Sequence, residues 1–182
     1  MKDGRLSWVT VGYGAYIVVS ASFMLQVNLW LTSKVGDPLL ARAFWAAAIA
    51  AATISLAYAA IARPFIIRIC AVILIFSLAY ILGLWQTYFE ERTHILMYGL
   101  LGFLAMRDLA GSGKALKFKS IALSMAFTAV ISALDEAFQL ILPYRFGEMK
   151  DFYTNVLGAA LGVALFLAVR RRGYGSHITG NA

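Results

Sequence analysis

Cysteine, proline, histidine and acidic side chains are all scarce in this chain of 182 residues, which has one Cys, three Pro, two His and nine Asp or Glu. The lone Cys70 excludes an intrachain disulfide, and within its apolar run it reads as a buried packing residue. There is no Gly/Ser-rich linker, low-complexity tract or clear repeat, so the chain reads as one domain. It also lacks a serine elbow, an H-E-x-x-H and a catalytic cysteine motif, so hydrolysis by a familiar route has no support. One histidine among acids is thin for a metal site, and no metal or other cofactor is expected. The loop from Arg107 to Lys119, with Gly111 and Gly113, is too short and irregular for a phosphate-binding motif.

What the chain has in abundance is hydrocarbon. It is 62% hydrophobic, with a mean hydropathy of +0.77, where a soluble domain would be nearer half apolar. Six stretches, about 8–30, 43–62, 67–88, 94–109, 120–142 and 152–169, approach the ~20 residues a helix needs to cross the hydrocarbon. Backbone groups in lipid must be satisfied internally, so the expected fold is all-α: a polytopic membrane bundle of about six transmembrane helices. Trp8, Trp30, Trp45, Trp85 and Tyr88 fall near span ends, as interfacial aromatics do. The run from Trp8 to Trp30 is longer than a signal h-region and lacks an A-x-A exit, so it reads as a spanning helix.

Lysine and arginine set the expected orientation. With these six spans, eleven of the sixteen (Lys2, Arg5, Arg63, Arg68, Arg107, Lys114, Lys117, Lys119 and Arg170 to Arg172) share one side, and Lys34, Arg42, Arg92, Arg145 and Lys150 take the other. The positive-inside rule then makes both termini cytoplasmic. The net charge of +7 is thus a topology signal, with the basic tail at the anionic inner leaflet, and no nucleic-acid partner is expected. Seven of the nine acids fall toward the outer face, which suggests where polar chemistry has been placed.

Within the spans, Ser20, Ser22, Gln26 and Asn28 read as interhelical hydrogen-bonding groups. The alanine-rich second span suits close packing, and the uncharged third suits scaffold. Residues 1–89 are therefore read as scaffold and 90–170 as the motif-bearing region. In the fifth span, Ser124, Thr128, Ser132, Asp135 and Gln139 recur at helical spacing along one stripe, with Glu136 beside it. Ionisable side chains at membrane depth usually mark a site. His94 and Tyr98 share a face at the start of the fourth span, with Glu90 and Glu91 just before. Asp151 and Asn155 open the sixth. Gly158 and Gly162 follow as a G-x-x-x-G that lets another helix, the fourth or fifth, come close. A loop carrying Pro143 and Arg145 joins the last two spans. The topology puts His94, Tyr98, Asp135, Glu136, Gln139, Arg145, Asp151 and Asn155 in the outer half.

The order His94-x-x-x-Tyr98, Glu136-x-x-Gln139, Pro143-x-Arg145, Asp151-x-x-x-Asn155 and Gly158-x-x-x-Gly162 resembles the VanZ-like family, named for a bacterial protein associated with teicoplanin resistance. The resemblance spans about residues 90–165. The family commonly has Asp-Lys four residues before the His; here those positions are Glu90 and Glu91, with Arg92 displaced by one. The resemblance implies a multi-pass protein of a bacterial or archaeal cell membrane, with membrane lipids and a lipid-linked envelope precursor as candidate partners. It fixes no reaction.

Three functions stay open on the residues. In the first, Glu90, Tyr98, Asp135, Gln139, Arg145, Asp151 and Asn155 bind a lipid-linked or headgroup ligand, with Arg145 gripping a phosphate or carboxylate. In the second, His94 and Glu136 are the catalytic acid and base of a membrane enzyme. In the third, the buried acids serve a small transporter or proton relay, although the chain shows no inverted repeat.

Overall fold

The computed structural model describes residues 5–61, 65–86, 89–110, 118–142 and 148–170. Among these residues the chain is entirely helical, in the order α1 (Trp8–Ser20), α2 (Met24–Val35), α3 (Asp37–Ile61), α4 (Phe65–Leu84), α5 (Phe89–Leu109), α6 (Phe118–Ile141) and α7 (Met149–Val169). Of these, α3, α4, α6 and α7 are each long and apolar enough to cross a membrane; α1 and α2 together would make a fifth span if counted as one. The remaining expected span, α5, carries Glu90, Glu91, Arg92, Arg107 and Asp108 within its 21 residues. Its charged ends keep it below the composition of a free-standing span, yet it packs at the centre of the bundle.

The expected continuous helix over 8–30 is broken. α1 and α2 meet at 71° across residues 21–23. Ser20 and Ser22, expected to bond to other helices, donate to the carbonyls of Ile17 and Val19, three residues back in each case, at 2.7 Å. Hydroxyls bonded back to the backbone compete with the helical ladder and bend it. α2 then turns into α3 at Gly36, whose φ of 81° falls in the left-handed region that glycine tolerates best. Asp37 and Pro38 follow, an acid and a fixed φ suited to a helix start. Cys70, expected to be buried, is exposed on the outside of α4.

α5 and α7 form the most extensive helix pair, with α6 packed against both. The G-x-x-x-G of α7 makes this contact, and its partner is α5. A Cβ on Gly162 would collide with the Gly99 carbonyl, and one on Gly102 with the Ala159 carbonyl. Small residues let two backbones approach where side chains would hold them apart. On the other side, α3 and α4 pack together and α4 reaches α7 and α5.

The two ends of the bundle are tied differently. At one end Asp108, closing α5, accepts from the Ser7 backbone N–H at 2.8 Å and from the Ser7 and Thr10 hydroxyls at 2.6 Å each. Ser7 also caps α1 through the Thr10 N–H, so one carboxylate holds the start of α1 to the end of α5. Nearby, Ser120 of α6 donates to the Leu109 carbonyl, and the buried Arg68 of α4 donates to the carbonyl of Val169 at the end of α7. The opposite end gathers the close of α6 and the openings of α5 and α7.

Candidate functional site

The polar stripe expected on α6 is one buried face: Ser120, Ser124, Thr128, Ser132, Asp135 and Gln139 are all withdrawn from the surface, with Glu136 beside them. Ser124 and Thr128 spend their hydroxyls on their own helix. From Ser132 onward the stripe reaches across to its neighbours, and there the site begins.

Three helices converge on Asp135 and Glu136. The fully buried Tyr98 of α5 donates its hydroxyl to Asp135 Oδ2 at 3.0 Å. Asn155 of α7, also fully buried, donates its amide to Ser132 Oγ at 3.1 Å and to Glu136 Oε1 at 3.3 Å. The other carboxylate oxygen of Glu136 accepts the Glu148 backbone N–H at 3.0 Å. Glu148 is the N-cap residue of α7, so Glu136 satisfies a helix-start donor that would otherwise lack an intrahelical partner. Both Glu136 oxygens thus pin α6 to the beginning of α7.

His94 stands one turn before Tyr98, with ring centroids 6.2 Å apart. Asp151, half-buried in the first turn of α7, lies within electrostatic reach of His94, Glu91, Glu148 and Lys150. Lys150 closes the rim with a 3.0 Å ion pair to Glu91. The structure therefore gathers His94, Tyr98, Asp135, Glu136, Asp151 and Asn155 at one end of the bundle. Gln139, 3% exposed, belongs to the same buried face. Arg145 and the side chain of Glu90 lie outside the described residues.

Several polar atoms here are buried and make no hydrogen bond among the described residues: His94 Nδ1, Gln139 Nε2, Asn155 Oδ1 and, on the far side of α7, Gln86 Oε1. Buried polar groups in folded proteins are nearly always paired with protein or water. A donor, an acceptor and an imidazole nitrogen that can serve as either thus remain for a polar molecule. Below them, Leu101, Ala105 and Met106 are fully buried and fill the centre of the bundle with hydrocarbon.

Two residues around the site escaped the sequence reading. Gln86 donates to the Thr154 hydroxyl at 3.2 Å, tying the end of α4 to α7. Arg92 donates through Nε and Nη2 to the Gln86 carbonyl at 3.3 and 3.1 Å. Neither contact has a sequence signature, because one runs to a backbone carbonyl and the other joins elements 68 residues apart. The Glu91–Lys150 pair was equally invisible, although both charges flank motif positions.

The family model described as VanZ/LLP1 matches residues 16–170. The match extends well beyond the motifs of the last three helices and takes in the last turn of α1 together with α2, α3 and α4. No curated protein and no solved structure matches the chain.

Proposed function

Because the chain belongs to the VanZ/LLP1 family of membrane proteins, we propose that it binds the polar headgroup of a membrane lipid or lipid-linked envelope precursor at the α5–α6–α7 end of the bundle. The site faces the cell exterior, with both termini cytoplasmic, in the membrane of a prokaryote. By altering what the outer leaflet presents, such binding would bear on how glycopeptides meet the cell surface. The observation that carries this reading is the set of buried, unsatisfied polar atoms on His94, Gln139 and Asn155 around two carboxylates. A bundle needing only stability would gain by satisfying or removing them.

The chemistry favours a headgroup rich in hydrogen-bond donors, such as an amine or hydroxyls. Asp135, Glu136 and Asn155 Oδ1 are acceptors, while Gln139 supplies a donor. His94 is the residue best suited to proton transfer, should the bound headgroup react. Glu136, with both oxygens held by protein N–H groups, serves first as a positioning residue.

The test is equilibrium binding of ethanolamine phosphate, glycerol phosphate and a sugar phosphate to the purified, detergent-solubilised chain. At least one should bind, and Asn155→Ala and Gln139→Ala should each weaken it about tenfold, the loss of one charge-assisted or buried hydrogen bond. Arg107→Ala, at the opposite end, should change nothing. Equal binding by all variants, or none by the folded wild type, would refute the reading.

A further inference from the structure

α5 has two functional faces. Glu91, His94 and Tyr98 look toward α6 and α7. Arg92, Ile95, Leu96, Gly99 and Phe103 follow a second stripe, three and four residues apart, hence on one side of the helix. From Ile95 onward this second stripe lines a groove of about 450 Å³ between α3, α4, α5 and α7, and Arg92 stands one turn beyond it. The groove is lined by hydrocarbon, including Ala51, Phe76, Ala79, Gly99, Phe103 and Gly162. Ser55, at its edge, donates its hydroxyl to the Ala51 carbonyl at 2.7 Å and so has its proton engaged within α3. Ile54 and Leu100, 66% and 49% exposed, flank an opening toward the surrounding lipid. A smaller recess of about 40 Å³ shares Phe76, Ala79, Ile95 and Leu96 with the groove and carries it up to Trp45 and Gly83. Just above Gly83, the Arg92 guanidinium caps the end of α4 through the Gln86 carbonyl, and the buried Gln86 Oε1 makes no hydrogen bond among the described residues.

We propose that this groove is a resident phospholipid site: one acyl chain of a glycerophospholipid lies between α4 and α5, with its phosphate held at Arg92. The opening chooses the occupant. The groove runs beside α5 from Ile95 to Phe103, about 12 Å at the helical rise, and it opens toward the surrounding hydrocarbon between Ile54 and Leu100, so an acyl chain lies along it. Charge agrees with the opening. Arg92 Nε and Nη2 already reach the Gln86 carbonyl, which leaves Nη1 and the second Nη2 proton of a guanidinium one turn beyond the groove to meet a phosphate, and neither ion pair among the described residues uses Arg92. The site is separate from the polar cluster, because the close-packed backbones of α5 and α7 stand between them.

The test is native mass spectrometry of the full chain extracted from vesicles of mixed phosphatidylglycerol and phosphatidylcholine. The wild type should retain at least one glycerophospholipid per chain, and an excess of soluble glycerol phosphate, which competes at the polar cluster, should leave the groove's lipid in place. Ala79→Phe on α4 and Ala51→Trp on α3, which fill the groove from different helices, should each reduce the retained fraction about tenfold, and Arg92→Gln severalfold. With the polar cluster weakened by Asn155→Ala the chain should still retain one glycerophospholipid, and adding Ala79→Phe to that variant should release it, so the two sites can fail independently. Unchanged retention in a monodisperse groove-filling variant, a polyprenyl lipid in place of the phospholipid, a dimer abolished by those variants, or a wild type that keeps no lipid would each overturn the proposal.

Discussion

The two halves of the bundle are equally greasy but differently built. In α2 no residue is buried, and in the 25 residues of α3 only Ala59 is. Their apolar side chains face outward, as the solvent of a membrane allows. In α6 and α7 the buried residues are mainly polar or small: Ser132, Asp135, Glu136 and Gln139 on one helix, Asn155, Gly158, Ala159 and Gly162 on the other. Lipid is as apolar as leucine, so hydrophobicity does not bring helices together there; close backbone packing and hydrogen bonds do. The difference teaches that in α6 and α7 burial follows polarity and small size, the reverse of a soluble core, while the large buried hydrocarbon comes from other helices, as with Leu101 and Met106 of α5.

That contrast can be broken by substitution, and the largest effect should come from size. Gly162→Leu places a side chain against the Gly99 carbonyl and should cost about 3 kcal/mol or more, as severe overpacking does. Ala50→Leu, on the exposed face of α3, should stay within about 0.5 kcal/mol. Thermal unfolding of both variants in detergent is the comparison, and equal losses would mean that α5 and α7 do not meet through their glycines.

Polarity should come next. Glu136→Ala leaves the Asn155 amide and the Glu148 N–H to find other partners and should cost about 1–3 kcal/mol in the same assay. Tyr98→Phe removes a single buried hydrogen bond. In a membrane bundle it should cost about 0.6 kcal/mol, and no more than about 2. A variant as stable as the wild type at Glu136 would sever the link between α6 and the start of α7.

The smallest effect belongs to the rim. The Lys150–Glu91 pair, with a Lys side chain 45% exposed, should contribute at most about 1 kcal/mol, and less as salt is raised. Lys150→Ala should therefore unfold almost as the wild type does in high salt. A large, salt-independent loss would show that the rim is as buried as the cluster beneath it.

The sequence made some of this architecture visible and hid the rest for identifiable reasons. The α6 stripe was legible because its period matches a helix and its polarity stands out against alanine and leucine. The approach of α7 was legible from Gly158 and Gly162, although only the three-dimensional arrangement chose α5 over α6 as its partner. The bend after Ser20 was not, because no proline or glycine marks it and a serine hydroxyl can bond inward or outward. Arg92 and Gln86 were missed because their key acceptor or partner carries no local pattern. Asp108 carries no motif in the sequence, and its role as the clamp on Ser7 and Thr10 depends on two segments about a hundred residues apart.

The claim on which the site rests is that α6 and α7 present Ser132 and Asn155 to each other in the membrane, and oxidative crosslinking reads it directly. Ser132→Cys paired with Asn155→Cys, in a Cys70→Ala background, should crosslink in intact membranes, directly on oxidation or through a short bis-methanethiosulfonate reagent, because the native side chains meet at 3.1 Å and the reagent spans any excess over the ~4 Å between Cβ atoms that a direct disulfide needs. Mass spectrometry should find the linked peptide in most chains. Two unlinked cysteines after both treatments, in a chain that is otherwise folded, would contradict the account.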